Sequence, residues 1–251
     1  GGGGGAEHRG GRPVGVSVGR ADPTVLLVPE LEHEHAQWQQ AAAEVVTYPE
    51  YPGVVEPLTA LSQAVPLCRR IGVGSSISIG RLRLLQKAFP AAEIVESEIV
   101  TLARYVKHPQ EIALHQEAAR ITDAMLEAGV GLVSDALRTG GTMPSESDLA
   151  AHVGAVGTQI MYSEHESVVV VGFLAGGLVY AGANSAKPHG LPSAYRLSPG
   201  DTFLLSLGCA VGGRFVAGER TFFLGEPSAE QVRYYESGGR IHTSTATAAG
   251  L

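Results

Sequence analysis

The sequence predicts two domains in succession, an α/β layer domain and then an α+β domain. Three observations predict this. Short β-branched runs alternate with helical stretches at close spacing up to about residue 100. A sustained apolar repeat at three and four follows between Pro109 and Gly140. Beyond it lie two apolar strands joined through Gly212-Gly213. The boundaries read as 1–105 for the first domain and 106–236 for the second. Residues 237–251 show neither period, are rich in Thr and Ala, and are expected to be a disordered tail.

Each element has its own justification. Residues 14–18 and 24–28 flank the turn signal Asp22-Pro23 and read as a hairpin. Residues 30–43, rich in Glu, Gln and Ala, read as a helix. Its Glu32-His33-Glu34-His35 mimics a metal motif, but residues two apart diverge by about 200° around a helix, so a solvated face is expected. A strand at 45–48, a helix at 54–64, a strand at 70–73, a helix at 79–89 stopped by Pro90, and a strand at 93–95 complete the first domain. Pro109 suits the first turn of the next helix and Glu111 suits its positive end. The apolar stripe there is Ile112, His115, Ala119, Thr122, Leu126, Val130, Val133 and Leu137, with His115 read as a packing residue. A second helix is expected from a Ser145 cap to about Gly154, then a buried strand at 167–172, a loop at 184–190, and paired strands at 202–209 and 215–223.

Composition removes several functions. The 251 residues are 44% hydrophobic and read as a soluble globular chain. A formal charge of -7 with no basic patch argues against a nucleic-acid partner. No window approaches the roughly 20 apolar residues of a membrane span, so no membrane partner is expected. Cys68 and Cys209 make no disulfide framework, and a cytoplasmic location is expected. The glycine run 1–5 reads as a linker, because a phosphate loop needs a strand before it and a helix after it.

Two groups stand out chemically. With the turn centred on Gly212-Gly213, Ser206 falls opposite Glu219, and Ala217 lies one pleat away on the same face. A carboxylate there, beside apolar Leu204, suits a cationic substrate group. The competing reading pairs Glu219 with Arg220 or Arg214. His189, in Pro188-His189-Gly190 ahead of the hairpin, has a side chain suited to proton transfer near neutrality.

These residues resemble the creatinase and Xaa-Pro aminopeptidase superfamily. The likeness runs through the Lys107-His108-Pro109-Gln110-Glu111 helix entry, the Asn184 loop ending in Pro188-His189-Gly190, Gly200-Asp201, and Arg220-Thr221-Phe222. The resemblance implies a pita-bread catalytic domain behind a smaller α/β N-terminal domain. Metal-dependent members carry an aspartate on each hairpin strand, where this chain has Ser206 and Ala217. A hydroxyl and a methyl cannot hold a pair of divalent ions, so no metal and no other cofactor is expected.

The hairpin is similar to the metal-free creatinase branch, through Leu205-Ser206-Leu207-Gly208-Cys209 and Ala217-Gly218-Glu219-Arg220-Thr221. That likeness implies His189 as the proton-transfer residue and Glu219 as the grip on a guanidinium-like cation. Arg12 is similar to an N-domain arginine that reaches a neighbouring subunit's site and holds a substrate carboxylate, which implies a homodimer. The expected activity is hydrolysis of a C–N bond in a small amidino or short-peptide substrate. The alternatives are an Xaa-Pro peptidase acting on short proline peptides and a non-catalytic pita-bread binding module. Only the first half of the pita-bread domain is visible, and a truncated or frameshifted product is expected.

Overall fold

The computed structural model describes residues 14–19, 23–38, 43–50, 56–165, 175–187 and 189–248. The chain divides into two compact units, Gly1–Val106 and Lys107–Leu251.

In the first unit, β1 (Gly15–Ser17) runs antiparallel to β2 (Val25–Pro29). A 3-10 turn (Glu30–Glu32) and α1 (His33–Trp38) then carry the chain across to β3 (Glu44–Tyr48), which pairs parallel with β2. Parallel neighbours require such a crossover. α2 (Pro57–Ala64) begins where the Glu56 carboxylate accepts from the Thr59 N–H at 3.0 Å, and it buries Leu61 against Val25, Leu27 and Tyr48. β4 (Arg70–Val73) and β5 (Glu93–Glu96) form a second parallel pair linked through α3 (Ile79–Ala88), and α4 (Ile99–Ala103) follows. The alternation read from the sequence is present.

The second unit opens with α5 (Pro109–Thr139). His108 Nδ1 accepts from the Gln110 N–H, the Glu111 carboxylate accepts from the His108 N–H at 2.9 Å, and Gly140 ends the helix at φ 63°. The buried line is Ala118, Ile121, Thr122, Met125, Leu126, Gly129 and Val133, whereas Ile112 and Leu137 of the expected stripe are exposed. Small residues account for the difference. A Cβ at Gly129 would come within 2.8 Å of Leu205, so close approach rather than apolar bulk sets the contact. α6 (Glu146–Glu164) likewise runs past the expected stop at Gly154. Its Gly157 lies against Met125, where a Cβ would stand 2.5 Å from Sδ, so glycine here serves helix-on-helix packing.

β6 (Ala175–Ala181), β7 (Thr202–Val211) and β8 (Arg214–Phe223) form an antiparallel sheet in that order. Gly212 and Gly213 have φ of 54° and 74°, the left-handed pair that a tight hairpin turn demands. Phe203, Leu205, Leu207, Cys209 and Val211 are buried with the α5 and α6 side chains in one core. Alternate residues, Ser206 among them, occupy the other face. The expected strand at 167–172 lies outside the described residues.

The expectation of a disordered tail at 237–251 is corrected as far as residue 248, because α7 runs Ala229–Ala248; residues 249–251 lie outside the described residues. Its start is pinned from outside the segment's own composition. The Ser228 hydroxyl accepts from the Gln231 N–H, the Gln231 side-chain oxygen accepts from the Ser228 N–H at 2.7 Å, and Gln231 Nε2 donates to Thr202 Oγ1 at 3.0 Å. Tyr235 packs edge-on against Phe223 at 5.9 Å. Once a first turn is held, each added residue costs little, so Ser, Thr and Ala propagate a helix they would not nucleate.

Gly177 sets the β6–β7 contact, since a Cβ there would lie 2.2 Å from the Ser206 carbonyl oxygen. Gly177→Ala is expected to lower stability by about 1–3 kcal/mol in urea unfolding. An unchanged midpoint would show that the two strands are not held this close.

Candidate functional site

The site begins with a carboxylate at the head of α6. Glu146 is fully buried. It accepts hydrogen bonds from the Ala181 N–H at 2.6 Å, the Ser193 N–H at 2.8 Å, the Ser193 hydroxyl at 2.6 Å and the Asn184 amide at 3.1 Å. Burial pushes its proton affinity up, but these donors outweigh burial and hold its pKa below the usual carboxylate range. The backbone reinforces the clamp: the Glu146 N–H donates to the Tyr195 carbonyl, the Ser147 N–H to the Ser193 carbonyl, and the Leu197 N–H to the Pro144 carbonyl. One side chain therefore ties the end of β6, the 3-10 turn that follows (Gly182–Ala186), and the far side of the loop at Ser193.

His189 lies between these anchors. Its side chain is exposed and its φ is 58°, making it the one non-glycine residue with positive φ among the described residues. That conformation costs an L-residue roughly 1–2 kcal/mol, although histidine tolerates it better than most. Backbone strain held by surrounding bonds is a common mark of a functional position. The Lys187 N–H bonds to the Asn184 carbonyl, and the Gly190 N–H to that of Lys187.

The hairpin supplies the second half. Its register pairs Ser206 with Glu219, as the sequence reading expects, and Gly208 with Ala217. The Ser206 hydroxyl donates to Glu219 Oε1 at 2.8 Å. Glu219 is exposed rather than buried. Neither expected competitor takes its carboxylate: Arg220 donates to the Glu219 backbone carbonyl, and Arg214 pairs with Glu111. Among the described residues no cation pairs with Glu219. Arg12 and Pro188 lie outside the described residues.

Sequence reasoning missed Tyr180. It sits on β6 opposite Leu204 and projects from the same face as Ser206 and Glu219. Its ring lies under the His189 loop, where a Cβ at Gly190 would be 3.4 Å from Cε1. Burial, and then the charge of Glu219, raise its pKa above the ordinary phenol value. Tyr180 thus adjoins both the loop and the hairpin. An aromatic near the end of a glycine-rich run, Gly176-Gly177-Leu178-Val179-Tyr180, was the available signal.

Among the described residues, the cluster able to surround an ion is Glu117, Glu164 and His165. Arg120 already bonds both glutamates, and His165 Nε2 lies 2.9 Å from Glu117 Oε1. Chiefly through Arg120, the Glu117 pKa falls to about 2. That is an ion-pair network with its own internal cation. The hairpin offers one carboxylate, one hydroxyl and one methyl, which do not fit a pair of divalent ions.

Residues 113–249 match the model of metallopeptidase family M24, and residues 5–106 match the creatinase/prolidase N-terminal domain. A creatinase from a Bacillus species (strain B-0618) is 31% identical over 179 residues, covering 69% of this chain and 40% of that protein. The Xaa-Pro dipeptidase of Pyrococcus furiosus is 22% identical over 223 residues, covering 88% of this chain and 58% of that protein. The solved structure of an Xaa-Pro dipeptidase from Bacillus anthracis has a TM-score of 0.69 at 20% identity, covering 90% of this chain and 59% of that one. At that identity the likeness shows the fold. The chain spans about half the length of the relatives it matches.

The Glu146 clamp makes a pH-dependent prediction. A carboxylate whose folded pKa is depressed stabilises the fold above its unfolded pKa of about 4.3. That stability is lost as pH falls through the folded value. Urea midpoints are expected to decline below about pH 4.3, and less steeply in Glu146→Gln. At neutral pH the substitution is expected to cost roughly 2–4 kcal/mol, because it sets an amide against buried donors. Parallel pH profiles for the two proteins would show that the clamp is not ionised.

Proposed function

Since the chain belongs to metallopeptidase family M24, we propose that it serves a hydrolase cleaving a C–N bond in a small amidino or peptide substrate without a metal ion. Its architecture is the family's: the creatinase-type N-terminal domain followed by pita-bread elements. One observation carries the proposal. On the hairpin face where Ser206 and Ala217 lie, Glu219 is the one carboxylate, it is exposed, and no cation among the described residues neutralises it.

Each residue has a stated task. Glu219, oriented by the Ser206 hydroxyl, grips a guanidinium-like or ammonium group of the substrate. His189, presented by the clamped loop, moves the proton that a departing nitrogen requires. Arg12 holds the substrate's carboxylate from a neighbouring subunit, which makes the working unit a homodimer. The Bacillus creatinase among the relatives supports the amidino version. The Pyrococcus Xaa-Pro dipeptidase, alike over more of this chain, favours the peptide version as a second reading.

Assays of the purified protein with a guanidino acid and with Gly-Pro, each with and without a chelator, separate the readings. Turnover of the guanidino acid is expected to survive chelation. In His189→Ala it is expected to fall about 10²–10⁴-fold, whereas Glu219→Gln is expected chiefly to raise KM. Activity that disappears on chelation and returns with a divalent ion sinks the metal-free proposal. Hydrolysis of Gly-Pro alone assigns the peptide version, and full activity in His189→Ala removes the histidine from the chemistry.

A further inference from the structure

Tyr180 carries a polar atom that no described residue uses. The residue is 5% exposed, and its hydroxyl, itself buried, has no hydrogen-bond partner among the described residues. A buried hydroxyl without a partner destabilises a protein by about 1–3 kcal/mol, and such groups are uncommon. Packing does not require it, because a phenylalanine ring would make the same contacts beneath Gly190 and opposite Leu204. The hydroxyl projects from the sheet face that bears Ser206 and Glu219.

We propose that Tyr180 is a substrate-binding residue whose hydroxyl donates to a carbonyl or carboxylate oxygen of a small zwitterionic ligand whose cationic group pairs with Glu219. This rests on Glu219 being the cation anchor. The ligand class follows from the two groups together. A carboxylate that no cation among the described residues pairs with selects positive charge, and a phenol O–H held protonated beside it selects an oxygen acceptor. A molecule with only one of these ends leaves the other protein group unpaired, so the pair discriminates zwitterions from simple cations.

Tyr180→Phe tests this in the full chain with two calorimetric probes: guanidinoacetate, with both ends, and methylguanidine, with the cation alone. The variant is expected to bind guanidinoacetate about tenfold more weakly, the scale of one hydrogen bond to a charged group, and methylguanidine equally well. Its ligand-free Tm is expected to equal or exceed that of the parent. Unchanged guanidinoacetate affinity, or equal weakening of both probes, overturns the role of Tyr180, as does a Tm several degrees lower, which would reveal a structural partner. Glu219→Gln reports on the underlying reading separately: it is expected to weaken both probes. Binding that ignores Glu219→Gln, or no binding of either probe to the parent, overturns the cation anchor and the Tyr180 proposal with it.

Discussion

A single buried carboxylate organises the candidate site. Burying an ionised glutamate is costly unless its oxygens are satisfied, and Glu146 meets that condition with donors from three separate parts of the chain. Its place at the head of α6 adds the favourable end of the helix dipole. The donors are the points between which the loop is suspended. Ala181 follows Tyr180 directly, and Asn184 and Ser193 bracket His189. Exposed His189 is therefore flanked on both sides by residues anchored to buried Glu146.

The sheet divides its labour by the two-residue period of a strand. The core face of the sheet is apolar and meets α5 so closely that small residues are obligatory at the contact, with a Cβ at Gly129 falling 2.8 Å from Leu205 of β7 and one at Gly218 of β8 falling 2.8 Å from Thr122. Cys209 belongs to this face, its thiol donating to the Ala118 carbonyl, and burial raises its pKa. The opposite face is left to polar chemistry. Core packing thereby fixes which side chains face away from the helices, because the helices accept only one choice of face.

What was legible in the sequence follows from how local its cause is. Gly212-Gly213 defines a turn, the turn defines a register, and the register sets Ser206 against Glu219, so a nonlocal contact came from a two-residue signal. Glu146 offered no such signal. Beside Ser145 and Asp148 it reads as an ordinary first-turn acid, and its burial depends on Ala181, Asn184 and Ser193, far along the chain. β6 was hidden by Gly176-Gly177, which weaken any strand pattern although Gly177 is needed for close pairing. The full length of α6 and the helix α7 are not legible locally, because glycine reads as a terminator and Thr/Ala-rich sequence as disorder. Packing against Met125 and the bonds of Gln231 overrode those propensities.

The left-handed backbone at His189 also constrains how this position can drift. β-branched residues are excluded there on steric grounds, whereas Asn, Asp and Gly fit at least as well as His. The residues the loop accepts most readily are therefore not imidazole bases. A single substitution could remove the imidazole and relax the backbone while leaving the Glu146 clamp intact. Stability alone favours such a replacement, so histidine at this position carries a cost in backbone strain.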